Sequence, residues 1–170
     1  MKLWLLDADI LIDFLSLNIL DKLAKIHEIY AASSVIEEVK YFKRSGKKCL
    51  VSFRERYIQS GLIKETSATA EDASTLLNKL PRISRFTLHP GEIESLAIMI
   101  RDNSLIFCTC DAATIRTLPL LDLAEHGISA EELLKQSGLV KQGLQDRHTE
   151  NYFRTNIAIG REQKIYQFEK

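Results

Sequence analysis

The stretch Leu3-Trp4-Leu5-Leu6-Asp7-Ala8-Asp9-Ile10-Leu11 decides the fold. Its first four residues form an apolar run that reads as a buried central strand. After the acidic pair, Ile10, Leu11, Phe14 and Leu15 recur at helical spacing, and Ile19, Leu20, Leu23 and Ile26 continue a second amphipathic pattern. The first carboxylates therefore stand where a strand hands over to a helix.

The same handover recurs along the chain. Ile29-Tyr30-Ala31-Ala32 reads as a second strand, and Ser33-Ser34 supplies the N-cap chemistry of a following helix. With Ser34 as N-cap, Glu37 falls at the capping-box position, whereas Glu38 has no such local duty. A short strand over 61–65 and a helix from about Thr69 follow. Pro81 and Pro90 bracket a loop, and the segment Leu88-His89-Pro90-Gly91-Glu92 opens a helix striped by Ile93, Leu96, Ala97 and Ile100. Leu105-Ile106-Phe107-Cys108-Thr109 is a further buried strand, ending at Asp111. The helix after it, over 112–125, is expected to break near Pro119. Gly127-Ile128 reads as a brief last strand, and Ser129 with Glu132 forms a second capping box whose helix runs to about Ser137. Strands alternating with helices in this way make an α/β chain. The pattern weakens after Gly138, so residues 1–137 read as the domain and 138–170 as an extension that packs on the domain or on a partner.

Composition sets the bounds. At 170 residues and 45% hydrophobic, the chain has the size of one domain with a full core. Its 23 basic and 23 acidic residues cancel, so any nucleic-acid role must rest on local patches. The densest patch is Lys40, Lys43, Arg44, Lys47 and Lys48, with Tyr41 and Phe42 inside it and Gly46 expected to end the helix. A solvated helix end is its plain reading. Contact with RNA is the alternative if the patch borders the acids. Cys49, Cys108 and Cys110 are odd in number and lack paired spacing, which argues against a disulfide framework or a structural zinc site and points to the cytoplasm. Cys108 and Cys110 are expected to pack as small apolar groups on one strand face. His27, His89, His126 and His148 are isolated, with surface or loop roles as the default. Asp7, Asp9 and Asp13 interrupt the apolar start, and no window approaches a membrane span, so no membrane association is expected.

The acids carry the chemistry. In a parallel α/β sheet, strand C-termini and helix N-termini converge at one edge, where ligands bind. Asp7, Glu38, Glu92 or Glu94, and Asp111 can therefore meet despite their separation in sequence. Mg²⁺ and Mn²⁺ prefer hard oxygen ligands. Packed carboxylates repel one another unless a cation or a proton intervenes. An ion in such a site activates water and holds a scissile phosphate, which is phosphodiester hydrolysis.

In order and spacing, the segments around Asp7-Ala8-Asp9, Ser34 to Val39, Gly91 to Ala97 and Thr109-Cys110-Asp111 resemble the PIN-domain nucleases over residues 1–135. The resemblance implies a three-layer α/β/α sandwich with a parallel sheet of about five strands, and Mg²⁺- or Mn²⁺-dependent cleavage of RNA. Many small relatives, the VapC-like ones, are toxins silenced by a cognate antitoxin and form homodimers. A toxin role, an antitoxin partner and a homodimer are thus implied here. Carried over by residue, Asp7, Glu38 and Asp111 match the family's acids, with Thr109 at the small polar position and Asp9 supporting the first acid. The third acid falls on Glu94 or Glu92, with Glu94 ahead and both near the metal. Two features depart from the pattern. Ala112-Ala113-Thr114 supplies no further acid, which weakens a second metal position, and the extension beyond 138 exceeds the common toxin length.

Two other readings compete. A PIN-like module could bind RNA or protein with little or no cutting. Asp7-Ala8-Asp9 after a strand also resembles haloacid-dehalogenase-type phosphatases, whose first Asp is phosphorylated, but the late acidic pair of that chemistry is missing. A Rossmann nucleotide site would need a Gly-rich turn after the first strand, and none follows. Arg116, beyond Asp111, is a candidate phosphate contact whose plain reading is a solvated helical arginine.

Overall fold

The computed structural model describes residues 2–168. Strand β1 (Leu3–Leu6) leads into helix α1 (Ala8–Ser16), then α2 (Leu20–Ile26), β2 (Glu28–Ala32) and the short α3 (Ser33–Glu38). A hairpin of β3 (Tyr41–Arg44) and β4 (Lys47–Leu50) follows, then a π-helical turn at Arg54–Ile58 and β5 (Lys64–Thr66). Helices α4 (Ala70–Lys79), α5 (Arg82–Arg85) and α6 (Pro90–Arg101) lead to β6 (Leu105–Cys108) and α7 (Ala112–Leu120). The chain ends with β7 (Gly127–Ile128), α8 (Ala130–Gln136) and the long α9 (Glu150–Phe168).

The main sheet is parallel, in the order β5-β2-β1-β6-β7, and helices flank it in a three-layer α/β/α sandwich. Central β1 is buried from Trp4 to Leu6, as a strand covered on both faces requires. It pairs Leu3 to Leu6 with Leu105 to Cys108, and the amide of Asp7 continues the ladder by donating to the Cys108 carbonyl at 3.1 Å. The chain winds outward through β2 to β5, then crosses back to β6 and β7. That reversal opens a crevice at the C-terminal ends of β1 and β6, the place where open α/β sheets bind ligands.

Several sequence expectations change, beginning with the loop expected between Pro81 and Pro90, which holds the short helix α5. The basic segment expected at a helix end is the β3–β4 hairpin, whose turn residues Ser45 and Gly46 both have positive φ, 51° and 74°. Two such residues suit the primed turn that matches strand twist. Ser34 does not cap α3: Ala32 holds that position without a side-chain bond, and Glu37 pairs with Arg54 at 2.8 Å in solvent. The weakly patterned 138–170 region contains the 19-residue α9. This helix lies on α7 so closely that a Cβ on Gly160 would come within 2.3 Å of the Arg116 carbonyl oxygen. Among the described residues no helix is long and apolar enough to cross a membrane.

Candidate functional site

Asp7 is the residue after β1, and its carboxylate caps α1. Its Oδ1 accepts from the Ala8 amide at 2.8 Å and its Oδ2 from the Thr109 hydroxyl at 2.8 Å. Thr109 also steadies Asp111, whose amide donates to Oγ1 of Thr109 at 3.2 Å. Asp111 in turn caps α7 by accepting from the Thr114 amide at 2.8 Å. Two adjacent parallel strands and one threonine thus fix two acids at the switch point.

Glu92 comes from the first turn of α6, where its Oε2 accepts from the His89 amide at 2.7 Å. Glu38, at the end of α3, lies over the start of α6: a Cβ on Gly91 would meet its Oε1 at 2.8 Å. A side chain at Gly91 would push the Glu38 carboxylate aside. Asp7, Ala8, Asp9, Glu38, His89, Glu92 and Asp111 line one cavity of about 230 Å³.

The electrostatics match the geometry. Asp7 is 5% exposed, and loss of water pushes its carboxyl up from 3.8 to about 6, with the charges of Asp9 and Asp111 adding to the rise. Hydrogen bonds from Thr109 and Ala8 hold it from going further. Glu92, 7% exposed, is pushed to about 7, again chiefly by burial, with Asp111 and Asp7 contributing. Partial burial also raises Glu38. No three of these acids bring ligand atoms within 4.8 Å of one another among the described residues. Carboxylates that repel one another adopt such an open arrangement, and it suits an ion that keeps part of its own water. All the cavity's side-chain donors except His89 are oxygens, the set a hard divalent cation takes. Thr114 Oγ1, buried beside them, makes no well-formed hydrogen bond among the described residues but lies near enough to Glu92 to hold its carboxyl down.

Glu94, placed ahead of Glu92 in the sequence reading, is elsewhere. Its Oε2 accepts from the Ser34 amide at 2.8 Å and from the Ser34 hydroxyl, and its Oε1 accepts from the Ala68 amide at 3.2 Å. The carboxylate thus satisfies the open start of α3 and ties it to α6, so Glu94 is structural and Glu92 faces the cavity. Two residues apart on a helix, their side chains point about 200° apart around the axis.

The basic candidates divide as well. Lys40, Lys43, Lys47 and Lys48 are exposed on or beside the hairpin. Arg44 instead donates to the Leu15 carbonyl at 2.8 Å, pinning the hairpin to the end of α1. Arg116 donates to Asn156 of α9 at 2.8 Å, so packing occupies it.

Several residues escaped the sequence reading. Arg147 bridges Asp9 and Asp13, and His148, 2% exposed, bonds Asp13 at 2.7 Å. Ligand atoms of Asp13, Cys110 and His148 lie within 4.8 Å of one another. This trio does not suit a metal. The Gln145 amide donates to Nδ1 of His148 at 3.2 Å, so the ring proton sits on Nε2, the atom turned to Asp13. Burial also raises the Cys110 thiol, keeping it protonated. The three cysteines are free, and Cys108 and Cys110 are buried as expected. His89, expected in a loop, lines the cavity at the start of α6.

The chain matches no protein-family model, no curated protein and no solved structure.

Proposed function

We propose that the chain is a divalent-metal-dependent ribonuclease that hydrolyses RNA phosphodiester bonds at the cavity of Asp7, Glu38, Glu92 and Asp111. One observation carries this reading: four carboxylates from four separate segments line a single cavity at the switch point of the sheet. Burial and the neighbouring carboxylates disfavour the charged forms of Asp7 and Glu92, and a cation among them would relieve that cost. A bound Mg²⁺ or Mn²⁺ would supply Lewis acidity and an activated water. Asp7 and Asp111 are held rigidly by backbone amides and Thr109, Glu38 reaches in over Gly91, and Glu92 shields the inner wall. The PIN-nuclease resemblance points to the same reaction.

The hairpin supports RNA as the substrate. It starts three residues after Glu38 and sets Lys43 opposite Lys48. Like charges directly opposed destabilise a hairpin, and a polyanion lying across them removes that cost. A toxin role with a cognate antitoxin, a homodimer and a cytoplasmic setting belong to the same proposal.

The test is cleavage of a labelled RNA with and without Mn²⁺, using Asp7→Asn as control. Metal-dependent cutting by the natural chain and its loss in the variant are expected. Equal cutting by both would remove this site from the reaction.

A further inference from the structure

The cavity's rim carries a cation from the far end of the chain. Nη1 of Arg147 donates to Oδ2 of Asp9 at 2.9 Å, and its Nη2 donates to Oδ2 of Asp13. Asp9 belongs to the cavity wall, and Asp13 lies one turn further along α1, on the same helix face. The guanidinium therefore bridges two hard oxygen donors from separate side chains, the position a divalent ion would take there.

The segment that delivers Arg147 is anchored without it. His148 is buried and bonded to Asp13, and its Nδ1 is held by the Gln145 amide; Gln145 Oε1 in turn orients the guanidinium by accepting from Nε of Arg147 at 3.1 Å. Exposed ion pairs contribute little to stability, so anchoring alone gives no reason for a second contact on Asp9. An electrostatic reason exists. The charge of Asp9 bears on both Asp7 and Glu38, and a guanidinium on Asp9 relieves repulsion across the cavity.

We propose that Arg147 is a resident counter-charge that holds the second cation position, so that the site takes one divalent ion. This rests on reading the cavity acids as ion ligands. It gives the C-terminal extension a function: it brings in the charge that a second ion would otherwise provide.

The test counts Mn²⁺ bound to the full chain, by equilibrium dialysis and by the electron paramagnetic resonance of free Mn²⁺. One ion is expected for the natural chain and for Arg147→Lys, which keeps the charge. Two are expected for Arg147→Gln, and one again for Arg147→Gln combined with Asp13→Asn. If the glutamine variant folds poorly, Arg147→Met retains the aliphatic stem and is expected to bind two. A natural chain that binds two ions, or charge-free variants that still bind one, would overturn the proposal while leaving the ion-binding cavity intact. A natural chain that binds none would overturn the reading of the acids and this inference with it.

Discussion

The hydroxyl of Thr109 donates to Oδ2 of Asp7 across the β1–β6 junction, at 2.8 Å between two buried residues. A residue at the end of one strand thereby sets the orientation and charge of an acid at the end of its neighbour. Thr109→Val keeps the shape and removes the donor. Its expected cost is about 1–3 kcal/mol at neutral pH, because a buried carboxylate oxygen loses its partner. Chemical denaturation at pH 7.5 measures this, and an unchanged midpoint would show that the bond is unimportant.

Asp7 also makes stability depend on pH. Its folded pKa of about 6 lies above the ordinary 3.8, so the folded chain retains a proton that the unfolded chain releases. The stabilisation from this neutral form is complete only below the ordinary 3.8 and is lost as pH rises through about 6. Asp7→Asn is neutral at every pH. The variant should therefore gain on the metal-free natural chain by about 2 kcal/mol between pH 4 and pH 7.5. Parallel denaturation curves at both pH values would refute the assigned shift.

Glu92 and Glu94 should behave oppositely on substitution. Glu92→Gln is expected to lower Mn²⁺ affinity by about tenfold or more, since even groups behind a ligand are worth that much. Glu94→Gln should leave Mn²⁺ affinity close to normal. It should destabilise the fold by about 1–3 kcal/mol, because the start of α3 loses charge-assisted bonds. Calorimetric titration beside thermal melting separates the two, and equal losses of affinity would return Glu94 to the cavity.

Gly160→Ala should detach α9 from α7. The added Cβ meets the Arg116 backbone rather than a flexible side chain, so the helices must separate. A loss of about 1–3 kcal/mol is expected, as for overpacking elsewhere. Faster proteolysis within residues 138–149 is the accompanying readout, and an unaltered digestion pattern would count against this packing.

Much of this was legible along the chain. Apolar runs at 3–6 and 105–108, each followed by an acid and an amphipathic stretch, are enough to mark strands, helices and the edge where Asp7 and Asp111 meet. Helix α9 was not legible, because its buried stripe uses Phe153, Asn156, Ile157 and Gly160. Two of these four are not apolar side chains, so periodicity in hydrophobicity fades although the spacing is helical. The hairpin escapes for a related reason: Phe42 is its one buried residue, too few for an alternating pattern.

Local chemistry along the chain therefore decided the α/β class, the strand ends and the places of Asp7 and Asp111 at those ends, since burial period acts over a few residues; Glu38 was singled out by a capping box on Ser34 that the structure does not form. Tertiary structure alone decided between Glu92 and Glu94, because either can start a helix and only packing of α3 on α6 assigns one to Ser34 and the other to the cavity. It alone also brought Arg147 to Asp9. Charges so distant in sequence become partners only when the fold removes the water and distance between them.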